Sequence, residues 1–375
     1  MATRRRLVLA LLGGALVAPA GAQTNASPAR TEFAPSLREE LDAVIGALVG
    51  RNRAVGVAAG VRYGDAVWTA GAGQVRRPDG AAPDADTRFE IGSITKVYTG
   101  VLLADAVERG EVQLADPVAD HLPEDLPVPV VEDAPITLRD LSTHRSGLPR
   151  MPQGFRPGDP VQPYADYDAA ALYETLADLR LRVAPGVRYA YSNLAVGLLG
   201  HALERASGTA YPQLMRQRVL APLGLSATEV WTPASGPRPA AAAAVHNAAG
   251  QPVQAWRFDV LAAAGAITSS VADQLRFIDA NLGRLELDSD DRLARSLAVA
   301  REVHSGSSPG PEVGLGWHRD PRRPGYVWHN GGTAGSRSFL ALNVERQAGV
   351  VVLSNTSRSV DAAGWRLLEI LGALE

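Results

Sequence analysis

The most informative segment of the sequence is the octapeptide Phe89-Glu90-Ile91-Gly92-Ser93-Ile94-Thr95-Lys96. It holds the single lysine of the chain, and the other 36 of the 37 basic residues are arginines. An ammonium group can lose its proton when it is buried or set near other positive charge, whereas a guanidinium stays protonated. We therefore expect that Lys96 is needed as an amine that can be neutral. The alternative is a chance remnant of arginine-rich codon usage.

Ser93 and Lys96 are spaced as Ser-x-x-Lys at the start of a helix predicted from Ile94 to Glu108. Residues i and i+3 share one face of a helix, so the hydroxyl and the amine can reach the same point. The first turn also exposes free N–H groups and the positive end of the helix dipole. Both favour a serine alkoxide and a neutral lysine, so the pattern predicts a nucleophile with its base. The alternative is that Ser93 only caps the helix.

The octapeptide resembles the active-site signature of class C β-lactamases and their relatives, the serine DD-peptidases, D-aminopeptidases and esterases. Tyr191-Ser192-Asn193 lies roughly 100 residues after Ser93 and matches the Tyr-x-Asn motif of that family. The resemblance implies a catalytic Tyr191 whose phenol relays a proton. It implies that Asn193 hydrogen-bonds a substrate carbonyl and the lysine.

The segment Trp328–Gly335 resembles the third family motif, which is Lys-Thr-Gly in true class C enzymes, and here His329 stands at the lysine position. Histidine is only partly charged near neutral pH, so this departure favours a DD-peptidase, D-aminopeptidase or esterase over a potent β-lactamase. The resemblance implies an oxyanion hole made by the N–H groups of Ser93 and Gly332. It also implies substrate contacts at Asn193, His329, Asn330 and Gly331. The alternative for His329 is a structural strand residue.

Two further residues have competing interpretations. His144 lies in a segment that resembles the family's Leu-Leu-Thr-His-x-Ser-Gly-Leu-Pro, and we interpret it as a supporting residue outside the chemistry. Arg337 follows the third motif closely and could bind a substrate carboxylate through a bidentate contact. The competing interpretation of Arg337 is an ordinary surface arginine.

Strand patterns concentrate near both ends of the chain, and helical patterns lie between them. This predicts an α/β (α+β) protein with one sheet built from both termini and a helical insertion. The family resemblance implies an antiparallel sheet flanked by helices, in a DD-peptidase/β-lactamase-like fold. Strands are expected within 55–70, 326–328, 339–343 and 350–353. The main helices are expected at 36–50, 94–108, 168–181, 194–207, 211–220, 270–282 and 362–371.

The first 22 residues have the pattern of an export signal. Three arginines at 4–6 precede the apolar stretch Leu7–Ala20, and Ala20-Gly21-Ala22 is typical of a cleavage site. We therefore expect a periplasmic or secreted bacterial protein, cleaved near Ala22, with no stable membrane anchor afterwards. The mature hydrolase domain is expected at 33–375, with a sheet subdomain at about 33–100 and 300–375 and a helix-rich subdomain at about 101–299.

Composition excludes several functions. The chain has no cysteine, so a thiol nucleophile and a cysteine metal site are excluded. The seven histidines are scattered, none in His-x-x-x-His spacing, and we expect neither a metal nor another cofactor. A net charge of −3 gives no indication of a nucleic-acid partner.

Together these patterns predict an exported serine acyl hydrolase that works through an acyl-enzyme on Ser93. The expected substrates are D-amino-acid peptide amides of peptidoglycan, as for a DD-carboxypeptidase or endopeptidase. Three alternatives stay open: a class C-like β-lactamase, a carboxylesterase, and a penicillin-binding sensor that does not hydrolyse its adduct. The partner is accordingly a small peptide, a β-lactam or an ester.

Overall fold

The structure is a computed structural model that describes residues 32–51, 54–152, 155, 157–238, 241–287, 291–305 and 310–372. The predicted signal peptide, residues 1–22, lies outside the described residues. Within the described ranges, no helix is both long enough and apolar enough to cross a membrane.

The elements follow each other as predicted, with strands at both ends and helices between them. The strands are β1 (Gly56–Tyr63), β2 (Ala66–Gly73), β3 (Phe89–Glu90), β4 (Glu229–Val230), β5 (Ile267–Ser269), β6 (His318–Arg319), β7 (Tyr326–Gly332), β8 (Arg337–Asn343) and β9 (Ala348–Ser354). The helices are α1 (Pro35–Gly50), α2 (Thr95–Glu108), α3 (Leu138–Ser142), α4 (Ala169–Asp178), α5 (Asn193–Ser207), α6 (Tyr211–Met215), α7 (Val271–Asn281), α8 (Arg292–Arg301) and α9 (Asp361–Gly372).

Six strands form one antiparallel sheet in the order β2-β1-β9-β8-β7-β6. The strands expected within 55–70 form a hairpin, with Tyr63 opposite Ala66 across the turn. Strand β1 then pairs with β9, from Val57 opposite Ser354 to Tyr63 opposite Ala348, which joins the two ends of the chain. The predicted antiparallel sheet built from both termini is therefore confirmed.

The sheet is covered on both faces, as the near-continuous apolar run of β9 requires. Successive side chains of a strand point to opposite faces. Val351 and Leu353 accordingly belong to the larger core with the internal helices, whereas Val350 and Val352 belong to the core beneath α1 and α9. Helix α1 begins at Pro35, one residue before the predicted start, and Ala34 provides no side-chain cap. Proline at the first turn needs no N–H partner.

Helix α2 runs through the middle of the larger core. All its residues from Thr95 to Ala106 are buried, so it is enclosed on every side. A small second sheet of β3, β5 and β4 holds Phe89 opposite Ser269. The segment before Ser93 is thereby fixed at one end of α2, facing the end of β7.

Several predicted boundaries differ from the structure. The helix predicted over 211–220 changes to a π-helical turn at Arg216–Leu220. Helix α8 was not predicted. The strands β3 to β6 were also missed, because two or three residues carry no alternating pattern. The proposed limits of a sheet and a helix-rich subdomain stay predictions.

Candidate active site

Ser93 and Lys96 stand at the junction between a 3₁₀ turn, Gly92–Ile94, and the first turn of α2. The Lys96 Nζ is 2.9 Å from the Ser93 Oγ. It also donates a hydrogen bond of 2.6 Å to the carbonyl oxygen of Ala264. A neutral amine has two N–H groups and one lone pair. It can therefore hold this carbonyl and still accept the hydroxyl proton of Ser93.

The environment of Lys96 favours the neutral amine. The side chain is 1% exposed, and its burial lowers the pKa of the amine well below the usual range. The positive charge of Arg150 lowers that pKa further. Burial and a neighbouring cation are two conditions that remove a proton from a lysine and that an arginine would resist. The surroundings of Lys96 thus agree with the expectation, drawn from composition, that this position requires an amine that can be neutral.

Tyr191 lies against the same pair. Its ring centre is 5.0 Å from the Lys96 Nζ, and its hydroxyl interacts with the side chain of Ser93. Burial raises the pKa of the phenol, an effect that the contact with Ser93 and the charge of Arg150 only partly oppose. Near neutral pH the phenol keeps its proton, so it can donate or relay one.

The position of Tyr191 follows from the helix start next to it. Ser192 caps α5: its Oγ accepts the N–H of Ala195 at 2.9 Å and donates to the Pro149 oxygen at 2.6 Å. Its own N–H donates to the His144 Nδ1 at 3.2 Å. These bonds fix the extended residue before the helix, so the phenol is directed at Ser93.

Asn193, the first residue of α5, lines the cleft beside Ser93. Its Nδ2 contacts the sulfur of Met151 at 3.7 Å. The expected hydrogen bond between Asn193 and Lys96 is not formed, because the amine contacts Ser93 and the carbonyl oxygen of Ala264 instead. The amide still faces the space where a substrate carbonyl would lie.

Two glycines let the end of β7 approach the nucleophile turn. Gly92 has φ 51°, and a Cβ added there would lie 2.6 Å from the backbone nitrogen of Gly332. A Cβ on Gly331 would lie 1.9 Å from the carbonyl oxygen of Ile91. Neither position can carry a side chain without moving the backbone, so the two segments meet main chain to main chain.

The pairing of β7 directs the N–H of Gly332 away from β8. The N–H of Thr333 donates to the Ser336 carbonyl, and bonded and non-bonded pairs alternate along an antiparallel ladder. The next pair, Gly332 and Arg337, is therefore non-bonded. Strand β6 reaches only Trp328 and Val327 on the other side, so the N–H of Gly332 faces the cleft. This is the direction that an oxyanion donor needs.

His329 is not part of the cleft lining. It is 1% exposed, its Nδ1 donates to the carbonyl oxygen of Asn330 at 2.5 Å, and its ring lies 6.3 Å from that of Tyr191. Burial, followed by the neighbouring His318 and Lys96, holds its pKa well below the usual range. The ring lies beneath Tyr191 and outside the cleft lining, and the substrate contact expected of His329 stays a prediction. At this position the chain offers no fixed positive charge.

Asn330 does line the cleft, and its Nδ2 donates to the Asp361 carboxylate at 2.7 Å. Histidines lie beneath Tyr191: the ring centre of the buried His144 is 4.3 Å from that of the phenol, and the ring centre of the half-buried His318 is 4.6 Å from that of His329. The supporting role inferred for His144 agrees with this placement. His318 was missed, although it directly follows the Gly-Leu-Gly-Trp run at 314–317. In the part of the chain that the structure describes, no His, Asp or Glu cluster could hold a metal.

The cleft above Ser93 has a volume of about 360 Å³. It brings together Ser93, Asn193 and the segment Asn330–Gly332, and it adds residues that sequence reasoning did not assign. Arg337, which the sequence left as a carboxylate-binding or a surface arginine, also lines the cleft. The unassigned residues are Arg150, Met151, Tyr164 and Trp256. The first three belong to loops rich in proline, where no periodic pattern indicates which side chains face inward. The roles of all these residues in catalysis and binding stay predictions.

The sequence and the fold of this chain are similar to those of known proteins. The sequence model of the family described as Beta-lactamase matches residues 41–373. The D-alanyl-D-alanine-carboxypeptidase/endopeptidase AmpH of Escherichia coli (strain K12) is 31% identical over 76% of this chain and 75% of its own. A beta-lactamase of the same strain is 27% identical over 76% and 80%. The crystal structure of the D-alanine carboxypeptidase AmpC from Burkholderia cenocepacia superposes with a TM-score of 0.72 at 25% identity, covering 89% of this chain and 99% of that one.

Proposed function

The chain belongs to the beta-lactamase family of serine hydrolases, and we propose that it is an exported hydrolase of D-amino-acid peptide amides. Its activity would be that of a DD-carboxypeptidase or endopeptidase, working through an acyl-enzyme on Ser93. The observation that carries the proposal is the 2.9 Å contact between the Ser93 Oγ and a buried Lys96 amine. The names of the carboxypeptidase relatives support the substrate class.

In the acylation step, the Ser93 Oγ attacks the peptide carbonyl carbon while its proton passes to the lone pair of the Lys96 Nζ. The carbonyl oxygen becomes an oxyanion that accepts hydrogen bonds from the N–H groups of Ser93 and Gly332. Such preorganised donors stabilise the developing charge with little reorganisation. No free ion is created in bulk solvent, since the proton stays within the buried pair.

Collapse of the tetrahedral intermediate breaks the C–N bond, and the leaving nitrogen takes a proton. The Tyr191 phenol can supply it and recover one from the Lys96 ammonium, because both groups contact Ser93. The amine is then neutral again. In deacylation a water molecule attacks the ester, its proton follows the reverse route, and Ser93 leaves with a proton. The order in which Lys96 and Tyr191 act stays open, as in the sequence interpretation.

A β-lactamase activity is the second candidate, and the 27% identical beta-lactamase relative favours it. The neutral, buried His329 argues against it, because true class C enzymes have a lysine at the position of His329. A carboxylesterase and a non-hydrolysing penicillin sensor are the remaining outcomes of the test below.

The proposed export rests on the sequence pattern of residues 1–22 alone. We also propose that the mature domain spans 33–375, which contains the residues matched by the family. Its cleft would lie between a sheet subdomain, 33–100 with 300–375, and a helix-rich subdomain, 101–299.

The test compares wild type, Ser93→Ala and Lys96→Arg on a D-Ala-D-Ala peptide, a penicillin and a nitrophenyl ester. We expect peptide cleavage by wild type, a long-lived penicillin adduct on Ser93 by intact-mass spectrometry, and a loss of at least about 100-fold in both variants. Rapid penicillin turnover would instead favour the β-lactamase, and ester cleavage without an adduct would favour the esterase. A stable adduct without any peptide cleavage would favour the sensor. Full activity of Lys96→Arg would overturn the neutral-amine mechanism.

A further inference from the structure

Arg337 stands over the backbone that is proposed to bind the oxyanion. It is the first residue of β8 and pairs with Gly332, the last residue of β7. A Cβ added to Gly332 would lie 2.9 Å from the Arg337 Nη1 and 3.0 Å from its Cζ. The guanidinium therefore occupies the space directly above Gly332, at the rim of the cleft.

The guanidinium is held in place from one side. Its Nη1 donates to the carbonyl oxygens of Thr333 and Ser336, both at 2.8 Å. Among the described residues, the Nε and Nη2 atoms of Arg337 have no hydrogen-bond partner, and they are not buried. Burial lowers the pKa of Arg337, which the charge of Asp361 opposes, and a guanidinium stays protonated near neutral pH all the same. A fixed guanidinium with accessible N–H groups is well suited to a carboxylate.

The charge of the cleft agrees with an anionic ligand. Of the described residues that line it, Arg150 and Arg337 are the charged ones, and none is acidic. His329 is neutral and closed off beneath Tyr191. Among the described residues, the fixed positive charge that faces a substrate therefore comes from Arg150 and Arg337.

The two arginines lie at different ends of the scissile bond. Tyr191, the proposed donor to the leaving group, lies near His329 and beneath Arg150, whose Cζ is 4.9 Å from the ring centre. Gly332 follows His329 by three residues, roughly 10 Å along an extended strand. The leaving group therefore occupies the His329 end, and the acyl half of the substrate occupies the end at Arg337.

From these observations we infer that Arg337 binds a carboxylate in the acyl half of the substrate and selects acyl groups that carry one. This rests on the acyl transfer at Ser93 proposed above, but not on the leaving group being a D-amino acid. Arg337 would be a specificity-determining residue whose effect depends on the charge of the acyl group.

The experiment uses two nitrophenyl esters with the same neutral leaving group. One has a glutaryl acyl group with a free carboxylate, and the other has the neutral valeryl group of the same chain length. The measured quantity is the ratio of kcat/KM for the anionic ester to that for the neutral one. We expect Arg337→Gln to lower the ratio roughly 10- to 100-fold, as loss of a charge-assisted hydrogen bond does. Arg337→Lys, which keeps the charge but loses the fork, is expected to lower it less.

Two controls distinguish a direct contact between Arg337 and the carboxylate from a general electrostatic effect of positive side chains. Arg180→Gln removes an exposed arginine whose side chain contacts the carbonyl oxygens of Ala177 and Leu179, and the ratio should not change. Arg150→Gln removes the charge at the leaving-group end, and the ratio should change much less than in Arg337→Gln.

Two results would overturn the inference. One is an unchanged ratio in Arg337→Gln; if both esters then lose activity equally, Arg337 only supports the turn at Thr333–Ser336. The other is an equal fall of the ratio in Arg150→Gln. Wild type that cleaves neither ester would overturn this inference together with the Ser93 chemistry. A preference that depends on Arg337, without any cleavage of D-Ala-D-Ala peptides, would contradict only the proposed peptide substrate.

Discussion

The guanidinium carbon of Arg150 lies 4.9 Å from the centre of the Tyr191 ring, on the cleft side of that phenol. A fixed positive charge therefore lies close to the Ser93–Lys96 pair. Its effect extends to the amine, because the charge of Arg150 adds to burial in lowering the pKa of Lys96. Arg150 is thus a positioning charge that helps keep the proposed base neutral.

Replacing Arg150 should change the pH dependence of catalysis. In Arg150→Gln the pKa of Lys96 rises toward its ordinary value, so a higher pH is needed to obtain the neutral amine. The acidic limb of the pH profile of kcat/KM should therefore move to higher pH, with lower activity at any pH on that limb. The profile is measured with a neutral ester, and Arg180→Gln serves as the control. An unmoved limb would show that Arg150 does not influence the base.

Substitution of Gly92 should disturb the oxyanion hole far more than it destabilises the fold. Gly92 and Gly64 have the same φ of 51°, but only Gly92 has a neighbour, the Gly332 nitrogen, within 2.6 Å of an added Cβ. Both alanine variants carry the cost of a left-handed residue, about 1–2 kcal/mol. Gly92→Ala should also lose about 100-fold or more in kcat/KM, as when an oxyanion donor is displaced.

Gly64→Ala is the matched control for that measurement and should keep its activity within about threefold, since nothing lies within 4 Å of its added Cβ. Equal activities of the two variants would mean that the contact between Gly92 and Gly332 does not position the donor.

His318 should make the fold sensitive to acid. Burial, with the charge of Lys96, lowers the pKa of His318 from 6.5 to about 4. The unfolded chain therefore binds this proton at a higher pH than the folded chain does, and stability falls as the pH decreases from 6.5 toward 4. Between pH 7.5 and pH 4.5, the free energy of unfolding of His318→Phe should therefore fall by roughly 2–3 kcal/mol less than that of wild type. The free energies of unfolding in urea at the two pH values test this, and equal losses in both proteins would contradict it.

The sequence was most informative where chemistry and local geometry depend on the same few residues. The Ser-x-x-Lys spacing placed the hydroxyl of Ser93 and the amine of Lys96 on one helical face. That the Tyr-x-Asn turn and the glycines after His329 join them in one cleft was implied by the family resemblance, because the three segments are far apart in sequence. The longer strands could be predicted because they are apolar and several residues long, whereas their antiparallel arrangement was implied by the family resemblance.

Other features of the cleft depend on contacts between residues distant in sequence. Arg150 and Trp256 belong to irregular segments, and no periodicity indicates that they face Ser93. His329 shows the limit most clearly, because its motif position indicates a substrate contact, whereas its burial depends on how β7 packs against His318 and Tyr191. Sequence spacing alone does not show whether the His329 side chain is buried or faces the cleft.

The central claim is that Lys96 is a neutral amine in the folded protein, and one measurement tests it directly. Because the chain has a single lysine, isotope labelling of lysine gives one side-chain NMR signal, which can be followed from acidic to alkaline pH without assignment. If the amine is neutral, its pKa lies well below 10.5 in wild type and moves upward in Arg150→Gln. A lysine that titrates at or above its ordinary value in the folded protein would contradict it.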